Sequence, residues 1–249
     1  MRIIVIYYTM VENTRSLRGK LTIVIPSKNE GIVLYNCIQY LARQNHIDGV
    51  RVIIADVSDK NDSILWIKKI KVDFKHILKI TVIKGGYPAV GRLNGSKLVS
   101  TPYMLFLDAD ILLTKPSILE ECIRYNKGLV TVSFSTDYPY RWVFRMFDLF
   151  QTLSSLLGTP FAVGGFQLWN TDTYWSVGGY NPNELFAEDY SISQKVDTKE
   201  FKVAKVKGTY TSSRRFKNKG VLWMFRIMLK SYFNRNNPEF FKKSHGYWD

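Results

Sequence analysis

Cysteine and long apolar runs are scarce in this sequence, and both shortages exclude classes of protein. Only two cysteines occur among the 249 residues, Cys37 and Cys122, and they lie far apart in apolar segments with helical spacing. A disulfide framework and a thiolate metal site are therefore excluded, and a reducing compartment is favoured. No stretch reaches the roughly 20 apolar residues that a membrane-spanning helix requires.

The N-terminus carries no clear targeting signal. Its apolar stretch MRIIVIYY is too short and too uncapped for a signal peptide. We therefore expect a cytoplasmic protein, either free or peripheral on the cytoplasmic face of a membrane.

Acidic residues are scarce toward the C-terminus. From Lys199 to Asp249 there are 13 Lys and Arg against three acids, so this segment holds +10 of the formal net charge of +14. Such a surface suits nucleic acid, an anionic membrane or the phosphates of a small ligand. Charge alone does not choose among these partners.

Strand-like and helix-like segments alternate through the first half of the chain. Buried strands are predicted at LTIVIP, VRVIIAD, KITVIK and YMLFL, with helices near Ser63 to Lys71 and near Leu93 to Val99. We expect Asn29 to cap the helix after the first strand and GGYPAVG to form a loop. This alternation indicates βαβ units in a largely parallel sheet, whose ligands bind beyond the carboxyl ends of the strands.

The second half of the chain is less regular. Helices are predicted for YRWVFRMFDLFQTLSSLL, from AEDY onward, and for VLWMFRIMLKSYF, whereas FAVGGFQLWNTDTYWSVGGY has the composition of strands and turns. The first of these helices has a wide apolar face, and its polar stripe consists of Arg141, Arg145, Asp148, Thr152 and Ser155.

Two aspartates, Asp108 and Asp110, interrupt the apolar segment YMLFLDADILL. Residues i and i+2 of an extended chain project to the same side, so we expect the two carboxylates to converge. They follow a predicted strand, as Asp56 does, and a carboxylate pair there suits Mg²⁺ or Mn²⁺ bound together with substrate phosphates. The alternative is that the pair caps a turn or binds Lys115.

Four motifs occur in a fixed order along the chain: LTIVIPSKNE, VIIADVSDKND, GRLNGSKLVSTPYMLFLDAD and FAEDY. They resemble the opening strand and loop, the nucleotide-contacting turn, the D-x-D segment and the acidic dyad of the inverting family 2 glycosyltransferases. The resemblance runs from about Leu21 to Val196. It implies the α/β GT-A fold, with a Rossmann-like, mostly parallel central sheet flanked by helices, a small second sheet and a basic helical C-terminal tail.

The resemblance also implies how a nucleotide-diphosphate sugar, most often a uridine one, would bind. Asp56 would contact the base, with the backbone of Pro26 and Ser27 beside it and Arg92 nearby. The loop departs from the usual pattern, because it reads Asp-Val-Ser from Asp56 where a second acid and a glycine normally precede the serine.

The same resemblance assigns the metal and the catalytic acids. Asp108 would lie near the ribose, and Asp110 would hold the Mn²⁺ or Mg²⁺ that bridges the phosphates, with Asp108 as a second candidate ligand. Asp189 would be the general base and Glu188 its neighbour. Two adjacent acids raise the cost of ionising both, which moves at least one toward a useful basicity.

Each part of the basic C-terminal tail has two possible roles. KVAKVKGTYTSSRRFKNKG would close over the donor as a lid, with Arg214, Arg215, Lys217 and Lys219 on phosphate oxygens, or would be a solvated basic loop. The helix VLWMFRIMLKSYF would lie in a membrane interface, or would pack on the core while its two cations reach solvent. His245 would complete the metal site or be exposed.

We therefore predict a metal-dependent inverting glycosyltransferase that acts on a glycan or a lipid-linked acceptor. No Q-x-x-R-W motif, which follows the dyad in processive synthases, occurs after Asp189, so transfer of a single sugar is expected. The expected division is one GT-A domain over residues 1–249: a nucleotide-binding half at about 1–110, a catalytic half at about 111–198 and the basic lid and helix at about 199–249. No nucleic-acid partner is expected.

Two rival functions remain at this point. A sugar-phosphate nucleotidyltransferase would need a glycine-rich G-x-G-T-R loop after the first strand, where this chain has PSKNE. A non-catalytic basic module that binds membranes or nucleic acid explains the tail, but it leaves five acids without a role: Asp56, Asp108, Asp110, Glu188 and Asp189.

Overall fold

A seven-stranded sheet forms the centre of the structure, a computed structural model that describes residues 16–137 and 139–246. The strand order is β3-β2-β1-β4-β7-β6-β8. Strands β1 to β4 are parallel, β7 runs antiparallel to β4 and β6, and β8 is parallel to β6. Their bounds are β1 Leu21–Ser27, β2 Arg51–Asp56, β3 Lys79–Lys84, β4 Tyr103–Leu107, β6 Leu129–Val132, β7 Phe166–Asn170 and β8 Phe201–Ala204.

A small antiparallel sheet joins β5 (Leu112–Leu113) to β9 (Thr209–Tyr210). The predicted α/β fold, with its mostly parallel sheet and small second sheet, is thus confirmed. The N-terminal stretch MRIIVIYY lies outside the described residues.

Helices cover both faces of the central sheet. Alternate residues of β4 belong to different apolar cores, Leu105 to one and Phe106 to the other, and both are fully buried. This burial explains why the central strands are continuous apolar runs. The helices are α1 Ile32–Leu41, α2 Asn61–Asp73, α3 Pro88–Ser96, α4 Ile118–Ile123, α5 Arg141–Leu156, α6 Thr171–Ser176, α7 Glu188–Ser193, α8 Arg214–Lys219, α9 Val221–Phe233 and α10 Pro238–Phe241.

Helix α3 begins earlier than predicted, and its position matters for the site. It starts at Pro88, because proline suits the first turn of a helix, so the last part of the expected GGYPAVG loop is helical. A side chain at Gly95 would place its Cβ 2.3 Å from Val24 of β1. Glycine there lets α3 lie directly on the sheet, which brings Arg92 to the carboxyl edge.

Asn29 does not cap α1, contrary to the prediction. The helix begins at Ile32, and its N-cap residue is Gly31, two residues beyond the expected cap. Asn29 has a positive φ of 57°, and its side-chain oxygen accepts hydrogen bonds from the backbone N–H groups of Asp59 and Lys60, both at 3.1 Å. It therefore joins the loop after β1 to the loop after β2.

The register of the parallel strands brings their carboxyl ends together. Ser27 of β1 pairs with Asp56 of β2, which pairs with Lys84 of β3. The loops that follow these strands therefore share one edge of the sheet. Within the part of the chain that the structure describes, every helix falls short of the length and apolar character needed to cross a membrane.

Candidate active site

A pocket of about 560 Å³ opens at this edge of the sheet. Its wall includes nine of the residues predicted to bind donor or metal or to catalyse: Pro26, Ser27, Arg92, Asp108, Asp110, Glu188, Asp189, Arg214 and Arg215. They come from distant parts of the chain, namely the end of β1, the turn after β4, and helices α3, α7 and α8. The fold thus gathers the predicted acids and arginines around one cavity.

Asp56, predicted to contact the base, ends β2 at the same edge but is not part of the pocket wall, which the next residue, Val57, reaches. The Asp56 carboxylate accepts hydrogen bonds from Ser58, at 3.1 Å from its backbone nitrogen and 2.7 Å from its hydroxyl. In this structure Asp56 shapes the loop beside the pocket.

Asp108 and Asp110 lie in a turn after β4 and not on an extended strand, so the predicted i and i+2 geometry is wrong. The turn is closed by a hydrogen bond from the backbone N–H of Ile111 to the carbonyl of Asp108, at 3.1 Å. Both aspartates nevertheless line the pocket. Lys115 does not bind either of them, because its ammonium pairs with Glu121 at 2.6 Å.

Arg92 joins the D-x-D turn to the acidic dyad. Its side chain is only 3% exposed; one guanidinium nitrogen lies 2.7 Å from an Asp108 carboxylate oxygen, and the other binds the Glu188 carboxylate. The first nitrogen also donates to the carbonyl of Gly164 at 3.3 Å. A single buried cation therefore compensates two acids that are 80 residues apart in the sequence.

Tyr180 packs against the Arg92 guanidinium and is itself held by a hydrogen-bonded network. The guanidinium lies 5.4 Å from the centre of the Tyr180 ring. The Tyr180 hydroxyl donates to the Gln167 side-chain oxygen at 2.7 Å, and the Trp169 indole donates to the same oxygen at 3.0 Å. All three of these side chains are buried, so the arginine has little freedom to move.

Replacing Arg92 by Met should lower the stability of the fold strongly. The change leaves Glu188 buried without its cation, a loss that typically costs about 3–5 kcal/mol. For a domain of this size, about 2–4 °C of melting temperature is lost per kcal/mol. The fall in melting temperature is measured by thermal unfolding, with circular dichroism as the signal. Arg92→Lys, which keeps the charge but cannot bridge two acids with a planar fork, should be intermediate; an unchanged melting temperature in Arg92→Met would contradict the linking role.

Asp189 lies half-buried at the start of α7, in the wall of the pocket. Its two carboxylate oxygens accept hydrogen bonds from the backbone N–H groups of Gly164, at 2.7 Å, and Tyr190, at 2.8 Å. Burial and the adjacent charge of Glu188 raise the pKa of Asp189 to about 7, against the opposing effects of Arg92 and these hydrogen bonds. A carboxylate with this pKa is suited to accept a proton near neutral pH.

Local backbone geometry fixes the dyad. Ala187, at the N-terminus of α7, has a φ of 48°, a left-handed conformation that is unfavourable for alanine. Gly164 approaches the dyad so closely that a Cβ there would lie 3.2 Å from the Asp189 carboxylate and 2.9 Å from Arg92. Glycine is therefore required where the chain passes between Asp189 and Arg92.

Asp110 is the acid best placed to hold a metal ion. Its carboxylate has no hydrogen-bond or ion-pair partner among residues 16–137 and 139–246. Burial, together with the charges of Asp108 and Glu30, raises the pKa of Asp110 to about 6, and Arg214 and Arg215 oppose the rise. An incompletely compensated, partly buried carboxylate fits a divalent cation. In the described ranges no group of three or more His, Cys, Asp or Glu side chains is placed to hold a metal ion by itself.

The basic tail contributes two of its four predicted cations to the pocket. Arg214 and Arg215 line it, and Arg214 also pairs with Glu30 at 3.3 Å. Lys217 instead pairs with Asp137 at 2.8 Å, and Lys219 donates to the carbonyl of Gly246 at 3.0 Å. Helix α8 therefore presents its first two residues to the cavity.

His245 packs against aromatic rings instead of facing Asp110. Its Nε2 is hydrogen-bonded to the carbonyl of Phe240 at 2.8 Å, and its ring centre lies 4.3 Å from that of Phe240. Neither predicted environment for this histidine, metal site or open solvent, describes what the structure shows.

Sequence reasoning missed the apolar half of the pocket. Beyond the dyad the wall consists of aromatic and aliphatic side chains from α5, α9 and the loop before β7. The apolar faces of both helices were visible in the sequence, but nothing in it indicated that they meet at the dyad.

The sheet order and the acids at its carboxyl edge define a GT-A fold. A mannosyltransferase, PcManGT from Pyrobaculum calidifontis in complex with GDP-Man and Mn²⁺, has a TM-score of 0.65 at 14% identity, over 84% of this chain and 61% of that one. S. aureus TarS 1-349 in complex with UDP-GlcNAc has a TM-score of 0.59 at 16% identity, over 78% of this chain and 58% of that one. This chain thus spans about three fifths of the length of each neighbour.

The sequence matches Glycosyl transferase family 2 over residues 22–178, which is more than half of the chain. The chain therefore belongs to this family, and the resemblance drawn from its four motifs is confirmed. No curated protein sequence matches it.

Proposed function

We propose that this protein is a metal-dependent, inverting glycosyltransferase that moves one sugar from a nucleotide-diphosphate sugar to a glycan or lipid-linked acceptor. One observation carries the proposal: the wall of a single cavity holds Asp110, an incompletely compensated carboxylate, together with Arg214, Arg215 and Asp189, an acid whose pKa is raised. These are the groups that a leaving diphosphate and an incoming hydroxyl require.

The donor would lie along the carboxyl edge of the sheet. Pro26, Ser27 and the loop at Asp56 would take the nucleoside, and Asp108 would face its ribose. The Ser27 hydroxyl supports this, because it is buried in the pocket wall and has no hydrogen-bond partner within the described residues. Arg92 would contribute indirectly by holding Asp108. We propose a uridine nucleotide; the structural neighbours contain GDP-Man in one case and UDP-GlcNAc in the other.

The diphosphate would lie between Asp110 and the first turn of α8. Asp110, with Asp108 beside it, would hold Mn²⁺ or Mg²⁺, which when bound offsets negative charge on the phosphates and on the leaving oxygen. Arg214 and Arg215 would donate charge-assisted hydrogen bonds to the same phosphates. Arg214 would exchange its exposed pair with Glu30 for the donor, an inexpensive step because exposed ion pairs contribute little.

The transfer step would use Asp189 as the base. The acceptor oxygen forms a bond to the anomeric carbon while the bond from that carbon to the diphosphate oxygen breaks, and the nucleoside diphosphate leaves with the electron pair. Asp189 takes the proton of the acceptor hydroxyl. Attack from the face opposite the leaving group inverts the anomeric carbon.

Neither rival function explains the pocket as well. A nucleotidyltransferase would have its glycine-rich loop after β1, where this chain has Pro26, Ser27 and Lys28. A non-catalytic basic module gives no role to Asp110 or to the acidic dyad beside an open cavity. We also propose a cytoplasmic location, free or peripheral to a membrane, and the division into donor, catalytic and tail segments given above.

Thermal-shift titration tests the donor class. UDP-, GDP- and dTDP-sugars are each added with and without Mn²⁺, and we expect a UDP-sugar with Mn²⁺ to raise the melting temperature most. If only a GDP-sugar stabilised the protein, the proposed uridine nucleotide would be wrong, but the proposed enzyme class would still hold. No stabilisation by any of these donors would contradict the proposal.

A further inference from the structure

The apolar half of the pocket, here called the chamber, starts at the catalytic dyad. The wall of the chamber consists of Phe144, Phe147, Phe150, Phe161, Met224 and Met228, from α5, α9 and the loop before β7. Phe161 packs against Tyr190, the residue after Asp189, with ring centres 5.6 Å apart. A sugar hydroxyl does not need such surroundings, whereas an apolar chain does.

The same two helices expose apolar side chains outward. On α5 the exposed residues recur at intervals of four and three and so form one stripe, here called the outer stripe: Trp142, Met146, Leu149, Leu153 and Leu156. On α9, Leu222 is 86% exposed and Phe233 is 75% exposed. A water-soluble surface rarely carries this much contiguous apolar area without a partner.

The charges beside these apolar residues indicate which kind of partner binds them. Arg141 and Arg145 are exposed on α5, and Arg226 and Lys230 are exposed on α9, which has no acid along its length. Two copies of this face would bring cations against cations, whereas anionic phospholipids would attract them. A tryptophan in the stripe is typical of residues at a membrane interface. Helix α9 is about 20 Å long, which is enough to lie in an interface.

We propose that the outer faces of α5 and α9 rest on an anionic bilayer, and that the chamber takes the apolar chain of a lipid acceptor. The inference rests on the proposed function and names its acceptor class. The acceptor's polar head then reaches the dyad, next to which Tyr190 also lines the pocket. The donor would bind to the polar part of the same pocket wall.

Vesicle flotation tests the docking face without any donor. The wild type should bind vesicles of phosphatidylcholine with phosphatidylglycerol, and added salt should weaken the binding. Changing Leu149 and Leu153 together to Glu should reduce binding at least about tenfold, since charged groups in an apolar interface are costly. The matched control is Leu65→Glu, whose leucine is 62% exposed on α2, and it should bind as the wild type does.

Two results would overturn the docking face. One is equal vesicle binding by the double variant and the wild type. The other is a wild-type dimer in sedimentation that the double variant loses, because a second copy would then be the occupant. Thermal melting confirms that each variant is folded.

The chamber is tested separately with dodecyl phosphate, an apolar chain with an anionic head, and with glycerol phosphate, a similar head without the chain. Calorimetry should show binding of the first only. Met228→Trp, and the smaller filling change Met228→Phe, should weaken it about tenfold or more, whereas vesicle binding and stabilisation by the nucleotide sugar persist. Unchanged dodecyl phosphate binding in both variants would overturn the chamber. If the wild-type protein does not bind a nucleotide sugar, that result would instead contradict the proposed function.

Discussion

Replacing Asp189 by Asn is expected to reduce sugar transfer by about 10²–10⁴ while leaving donor binding intact. The amide cannot accept the hydroxyl proton, so the acceptor remains a weak nucleophile. The proposed donor contacts lie elsewhere in the pocket wall, at β1, Asp110 and α8. Turnover is measured as release of the nucleoside diphosphate with acceptor present, and donor binding as the shift in melting temperature.

The pH dependence of transfer separates a base from a merely structural carboxylate. Only the ionised form of Asp189 accepts a proton, so the wild-type rate should rise as pH increases through about 7, the value to which burial and Glu188 raise the pKa of this acid. Residual turnover of the Asn variant should lose this rise. Asp172→Asn, at an exposed acid on α6, is the control and should match the wild type. Full turnover in Asp189→Asn would refute the assignment.

The fold could be predicted from the sequence where local pattern and tertiary burial agree. Strands β1, β2 and β4 are apolar runs because both faces of the sheet are covered, and this pattern is visible without coordinates. Helix α6 was missed because its aromatic and β-branched residues resemble a strand. It is fixed by the Asn170 side chain, whose oxygen accepts from the Thr173 N–H at 3.0 Å.

The site could be predicted only residue by residue. Asp108, Asp110 and the dyad were found by their motifs, but their mutual arrangement depends on Arg92, which contacts a carboxylate 96 residues further along the chain. No local pattern encodes such a contact. The glycines that let α3 lie on the sheet, and so place Arg92, are interpretable only when the neighbouring strand is known.

Replacing Asp110 by Ala is expected to abolish metal-dependent donor binding. A bound metal ion contributes several kcal/mol, so the affinity for a UDP-sugar in Mn²⁺ should fall at least about 100-fold. The wild type without Mn²⁺ should behave like the variant, and adding Mn²⁺ to the variant should change little. Calorimetric titration of the donor with Mn²⁺ and with a chelator measures both effects. Asp172→Ala serves as the matched control.

Asp108 should not replace Asp110 in this role, because Arg92 already binds one of its oxygens at 2.7 Å. Unfolding should not explain the loss either. Burial raises the pKa of Asp110, so its ionised form costs stability in the folded protein and its removal should leave the melting temperature unchanged or higher. Persistent Mn²⁺-dependent donor binding in a folded Asp110→Ala variant would mean that the metal is held elsewhere, and the proposed orientation of the diphosphate toward Arg214 and Arg215 would then be wrong.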